Sequence, residues 1–377
     1  MQAIIISTLP LSDLKPTSQA AATISNVHHL ASYNWIEAPE PTIAVPGCPK
    51  RWTPPWRPGQ YGIKVPKDPA EDGHSENAAR HPASPMEPLF RALYLLQPDL
   101  DIRCVDLVTD RSTIRKLLSV INPNLDKRAL ATLTIHIERQ GKTALLCCEE
   151  ASTRERIPRT RFRGYGQEFE KATTTSCVAG STSHYRITSY DLEELSCIVR
   201  YEADGYVEQR GGHDLSTMLV SLNISDSPIP IPRHSSLRVC AKGLIIPLDS
   251  ILEIKTSAPG RKVEMDKVLP QMWVSQTSLL VCGSYDKKGL FRECWPRHVG
   301  RELKEWEKNH QVDLKRLVAL LKWIIASVPR SGQKATLGYD SRREELVISR
   351  AERPNMLPTD LYDKWEGQNQ GVVMRGS

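Results

Sequence analysis

Residues 250–257 read SILEIKTS, and the placement of this octapeptide decides the fold. Its apolar and β-branched content marks a strand. Side chains alternate across a strand, so Leu252 and Ile254 point one way while Glu253 and Lys255 point the other. An acid and a base thus share one face of an otherwise apolar strand. A second stretch, CIVRYEADGYV (197–207), repeats the pattern. By the same alternation Glu202 and Asp204 share a face, opposite Val199, Tyr201 and Ala203.

The rest of the chain sets the class. Its 377 residues suit one large domain or two modest ones, with ample chain for a sizeable core. Hydrophobic residues make up 40% and charged residues 25%, the balance of a globular protein rather than a disordered one. A net charge of +6 permits an anionic partner without demanding one. Nine cysteines, without CxxC or zinc-type spacing, point to reduced thiols in nucleus or cytoplasm. The short apolar run near the start lacks a basic flank, so secretion is not expected. Nor does any apolar run reach the ~18 residues of a membrane span.

Residues 1–30 are rich in Ser, Thr and Ala and are expected to fray, as is the tail 366–377. Between them, 31–365 reads as one domain, with loops at 66–85 and 208–236. SYNWIEAPEPTIAVPGCPKRWTPPWRPG (32–59) is expected to run extended, pinned by its tryptophans. Helices are expected at PMEPLFRALYLLQP, at STIRKLLSVIN with Ser112 as cap, and at GQEFEKATTT. The longest helix signal is RELKEWEKNHQVDLKRLVALLKWIIASVP, with Leu314, Leu317, Val318, Leu321, Ile324 and Ile325 as one apolar stripe. Hairpins are expected around Gln140–Gly141 and in KATLGYDSRREELVIS. Strands and helices mix without regular βαβ alternation. The expected fold is therefore mixed α/β, a central sheet flanked by helices.

Glu202, Asp204 and Glu253 are three carboxylates on strands expected to pair. Clustered carboxylates repel, and a hard divalent cation, Mg²⁺ or Mn²⁺, relieves this because it takes oxygen ligands. Lys255 beside them is placed to orient a water or stabilise charge on a phosphate oxygen. Such a set suits phosphodiester hydrolysis. Taken alone, Glu-x-Lys also occurs on solvated strand faces as a cross-strand pair. The basic run Arg154, Arg156, Arg159, Arg161, Arg163, with Phe162 and Tyr165, reads either as a solvated loop or as an RNA-tracking segment; the solvated loop is the plainer reading.

In order, the chain reads VTDRSTIRKLL, GYGQEFEKA, VRYEADGY, LEIKTS and MWVSQTSLLVCGSYDKKGLF. This series resembles the DXO family of RNA 5′-end decapping nucleases, over roughly residues 85–365, as a divergent, fungal-type branch. The resemblance implies a PD-(D/E)XK-like nuclease core. It implies Glu170, Glu202, Asp204 and Glu253 as ligands of one or two Mg²⁺ or Mn²⁺ ions, with the Ile254 carbonyl beside them. Lys255 and Gln276 would position water and scissile phosphate. Arg111 matches the family's RNA-contacting arginine, although Asp110 next to it is a candidate partner and Arg115 a rival. The implied substrate is a single-stranded RNA 5′ end, with decapping, pyrophosphohydrolase or 5′–3′ exonuclease action and a 5′–3′ exoribonuclease as possible partner. The alternative is a non-catalytic RNA-end-binding or exoribonuclease-activating protein. A prenyl-diphosphate synthase is excluded, because no DDxxD occurs.

Overall fold

In the computed structural model, residues 4–56, 62–69, 76–125, 133–149, 164–208, 228–229, 235–329 and 331–366 are described. Strand Ile251–Ser257 lies between Gly205–Tyr206, antiparallel, and Leu279–Ser284, parallel. These belong to a six-stranded sheet that continues through Arg51–Trp52 to Thr174–Thr175. A larger sheet of twelve strands runs from Ile5–Pro10 at one edge to Pro228–Ile229 at the other. At its centre Leu107–Asp110 runs parallel to both Leu195–Glu202 and Thr143–Cys148. The result is a single large mixed α/β domain with helices against its sheets.

Alternation along the central strands explains why helices cover both faces. Leu107, Val199, Ala144 and Leu146 face a core built by helices Arg111–Ile121, Met265–Ser275 and Gln311–Ser327. Val108, Ile198 and Leu145, one residue out of phase, face Leu89, Phe90 and Leu93 of helix Glu87–Leu96 and Leu361 of helix Thr359–Glu366. Burial on both sides requires apolar residues at successive positions, and Leu107–Val108, Leu145–Leu146 and Ile198–Val199 supply them.

Three expectations are corrected. Much of the segment expected to fray, residues 1–30, is built into the sheet. Ile5–Pro10 pairs with Glu345–Arg350, and Ile24–Ile36 pairs with Ser181–Leu192. The polar composition misled because a few apolar side chains, among them Leu9, Leu14, Ala22 and Ile24, reach the core, while backbone pairing holds the residues between them. The longest helix signal is two helices, Gly300–Asn309 and Gln311–Ser327, which meet at His310 (φ −109°, ψ 20°). Ser112 does not cap its helix; the helix begins at Arg111, after Asp110. Both expected hairpins are present, as Thr134–Gln140 with Thr143–Cys148 and Ser331–Asp340 with Glu345–Arg350. Within the expected loop 66–85 lies a short helix, Glu76–Arg80. Most of loop 208–236, the tail beyond Glu366 and the basic run 154–163 lie outside the described residues.

Candidate active site

The chain crosses from one sheet to the other at Ala203–Asp204. Leu195–Glu202 belongs to the large sheet and Gly205–Tyr206 to the small one. The candidate acids collect around this seam.

Glu253 is at its centre and is buried (1% exposed). One oxygen, Oε1, accepts from Lys255 Nζ and from Gln271 Nε2. The other accepts from Arg111 at 3.1 Å. Burial pushes its carboxyl up, but Lys255 and Arg111 outweigh burial and hold it down at about 2. Leu252 and Ile254, on the opposite face, are buried against Phe169 and Val281. The strand is therefore buried on both faces from Ile251 to Ile254, and its acid is paired because it is buried.

Arg111 is free to reach Glu253 because Asp110 is engaged elsewhere. Asp110 binds Arg200 through two bonds, 2.6 and 2.9 Å. Those two residues sit opposite each other on neighbouring parallel strands. The Arg111 guanidinium also lies 5.6 Å from the ring centre of Tyr201.

Asp204 accepts from the Ile254 backbone N–H at 2.7 Å and stands 3.8 Å from Lys255. Burial and the nearby Glu253 push its carboxyl well above the usual range. Lys255 answers both acids. Burial lowers its ammonium, but Asp204 and Glu253 raise it above its ordinary value.

Glu170, on helix Gly166–Thr173, pairs with Lys50 at 2.8 Å and adds its charge to the field at Asp204. Asp68 anchors that helix by accepting from the Gly166 and Glu168 N–H groups at 2.9 and 3.0 Å. This is an N-terminal cap supplied from a distant part of the sequence.

Glu202 is parted from Asp204. It is exposed and lines a cleft of about 170 Å³ together with Asp110, Arg111, Tyr185 and Arg200. The alternation rule put the two acids on one face, but it holds only within one strand, and here the chain changes sheets between them. Arg111 borders both the cleft and the acid cluster.

Gln276 is not brought to the cluster. It ends its helix in a left-handed conformation (φ 53°), and its side chain donates to the Trp273 carbonyl at 2.5 Å. Gln271, which the sequence reading passed over, touches Glu253 instead. Its signal was a glutamine between Val268 and Ser275 on a helix face that is otherwise buried. Arg115 lies one turn beyond Arg111, half-buried. Tyr165 is buried against Tyr285, with ring centres 4.9 Å apart, so it is not a base-stacking surface.

Among the described residues, no three of His, Cys, Asp and Glu form a group that could hold a metal ion. The expected convergence of four acids is thus not formed. Three acids, Glu253, Asp204 and Glu170, are answered by three cations, Arg111, Lys255 and Lys50. The donor chemistry nevertheless fits a hard cation. Asp204 is a half-buried carboxyl beside a second carboxylate, raised by burial and by that neighbour despite Lys255, and a divalent ion relieves that. Asp204 and Glu253 are the donors that fit, with Glu170 next to them.

An acid cluster at the seam of two sheets, flanked by a lysine, an arginine and a glutamine, is the candidate site on a mixed α/β fold. The sequence model of a family described as a domain of unknown function (DUF8563) matches residues 4–360, and the chain belongs to that family. No curated protein matches. Among solved structures, Rai1 of Scheffersomyces stipitis, in complex with (3′-NADP)⁺ and calcium ion, is similar with a TM-score of 0.62 at 13% identity, covering 97% of this chain and 98% of that one. Rai1 of Candida albicans, in complex with pU5–Mn²⁺, has a TM-score of 0.58 at 12% identity over 97% and 99% of the two chains. Rai1 of S. pombe has a TM-score of 0.57 at 13% identity over 92% and 99%. The chain therefore has the fold of these proteins from end to end.

Proposed function

We propose that this protein is a metal-dependent hydrolase of RNA 5′ ends, of the decapping, pyrophosphohydrolase or 5′–3′ exonuclease type, on a PD-(D/E)XK-like core. The observation that carries the reading is the buried Glu253, held by Lys255, Arg111 and Gln271 from three separate segments. Such enforced pairing of charge is found where a site must act on charged substrate. The end-to-end fold likeness to Rai1 supports it, since relatives of that fold hold pU5 with Mn²⁺ and 3′-NADP⁺ with calcium.

Asp204 and Glu253 would hold a divalent ion, with Glu170 as a third donor. Bound there, the ion would supply a Lewis acid for a phosphate oxygen and lower the pKa of a water. Lys255 keeps its proton and donates to a non-bridging phosphate oxygen as charge develops. Arg111, at the border of the cleft, binds a substrate phosphate while its other face rests on Tyr201. Gln271 fixes the orientation of Glu253. The RNA 5′ end would enter through the cleft lined by Glu202 and Arg200, in nucleus or cytoplasm.

One observation favours the second reading, an RNA-end-binding or exoribonuclease-activating protein without turnover. The three acids are already neutralised one for one by Arg111, Lys255 and Lys50. Labelled 5′-triphosphate, capped and 5′-monophosphate RNAs with Mn²⁺ decide between the two. The hydrolase reading expects release of 5′ product, reduced at least about 100-fold by Glu253→Gln. An unchanged rate in that variant would overturn it.

A further inference from the structure

Trp295 is 59% exposed, whereas the other seven tryptophans are buried or half-buried. Among the described residues no other ring packs on it. Its Nε1 donates to Glu293 at 2.9 Å, which fixes the indole by its edge. A single exposed apolar residue is ordinary, but this one shares a sheet face with the acid cluster.

In the six-stranded sheet Glu253 stands opposite Leu280, and Lys255 opposite Cys282. Leu280 in turn stands opposite Arg297, on the strand at the sheet's edge. Residues opposite each other in a ladder project to the same face, so Glu253, Leu280 and Arg297 form one row across three strands. The contacts of Arg297 agree. Its Nη2 reaches Met265 Sδ at 3.8 Å, and Met265, Leu280 and Cys282 pack on one core. Burial pushes the Cys282 thiol up, and Arg297 and Lys255 both oppose that. Trp295 is two residues before Arg297, level with Cys282 and so with Lys255. Its chain neighbour Cys294 packs with Leu252 and Val281 on the core behind the sheet, which leaves Trp295 on the Lys255 face. Exposure increases outward along this second row, from the Lys255 side chain at 31% to Trp295.

We propose that Trp295 is a base-stacking surface for single-stranded RNA, taking the base of a nucleotide adjacent to the phosphate that Lys255 meets. Lys255 and the indole are two strand spacings apart, about 10 Å. A phosphate and the base of an adjacent nucleotide cover that span. The charge of the flanks selects RNA over a protein partner. Arg261 and Lys262, on loop 258–264, and Arg292, Arg297 and Arg301, along the edge, are all exposed. The acids among them are engaged, Glu264 by Lys267, Glu302 by Arg297 and Glu293 by Trp295 itself. An aromatic face beside a basic track holds single strands with little regard to sequence. The inference rests on RNA as the ligand of the acid cluster, though not on its turnover.

Fluorescence anisotropy of a 3′-labelled, 5′-phosphorylated adenylate pentamer, titrated with the full chain in EDTA, tests it. Trp295→Ala is expected to weaken binding at least about fivefold, the loss of one stacked base, and Trp295→Phe to restore most of it. A pentamer of abasic riboses is expected to bind the unaltered chain and Trp295→Ala alike, because a stacking surface has no hold on sugar and phosphate. Adenylate affinity unchanged in Trp295→Ala overturns the proposal and leaves this face to a protein partner. A loss that the abasic strand shares overturns it too. Hydrolysis with Mn²⁺ is read separately. A protein that releases no 5′ product but loses RNA affinity with Trp295→Ala keeps this inference while the hydrolase reading falls. One that hydrolyses RNA with an affinity indifferent to Trp295 loses this inference alone. No RNA binding by the unaltered chain overturns both.

Discussion

Lys255, Arg111 and Gln271 hold Glu253 from three directions, and each makes a different contribution. Lys255 is the group that faces both acids. Lys255→Met should lower hydrolysis at least about 100-fold while RNA affinity, read by anisotropy, falls far less. Gln271 and Gln276 make a sharper contrast. Gln271→Leu strips a hydrogen bond from a buried carboxylate and should depress kcat more than KM. Gln276→Gly should keep activity within about twofold and leave stability within about 1 kcal/mol, because glycine accepts the left-handed backbone but loses the bond to Trp273. The reverse ranking would restore Gln276 to the site. Glu253 and Lys255 were legible in the sequence, since an i, i+2 pair on a strand shares a face. Gln271 was not, because its partner is a strand 18 residues away whose position depends on the whole sheet.

At the scale of elements, helix Gly166–Thr173 depends on a cap that no local motif announces. Asp68 supplies it across 98 and 100 residues of chain. Asp68→Ala should cost about 1–2 kcal/mol, measured by urea unfolding, and should loosen Glu170 against Lys50. Asp68→Asn should recover most of the stability. The hairpins and the helix at residues 111–121 follow from patterning that is local. The division of the long C-terminal helix at His310 does not, for its apolar stripe continues across the break. Both helices meet the same core, and they differ in how much of each is buried. The first buries only Leu303 and Trp306, whereas the second buries a full face of leucines and isoleucines.

Across the whole molecule, the seam between the sheets encloses a polar interior whose charge state sets acid stability. His184 is buried and donates from Nδ1 to Asn34 Oδ1, which also accepts from the Cys48 N–H. Burial and Arg186 hold His184 far below the ordinary histidine value, and burial and Arg186 push His29 down to about 3. The unfolded chain takes up these protons near 6.5 and the folded chain does not. Stability from this source is therefore complete above about pH 6.5 and declines as pH falls toward 3, by up to about 1.4 kcal/mol per pH unit for His184. Urea midpoints at pH 7.5 and 5.5 should show the fall, and His184→Gln should flatten it. The helical layer is tested by Leu321→Ala, which should cost about 2–5 kcal/mol, because Leu321 is fully buried between helix and sheet.

The sequence by itself determined the central strands, most of the helices, their apolar faces and the chemistry of the segments that supply the acids, because periodicity and residue type are local properties. Only the tertiary structure decided which acids meet. Glu202 and Asp204 are two residues apart, yet the chain changes sheets between them, so one borders a cleft with Arg200 and the other lies half-buried beside Glu253. It decided, too, that Asp110 pairs with Arg200 and leaves Arg111 to Glu253. Pairings of that kind depend on which strands lie side by side, and strand order is set by the packing of the entire core.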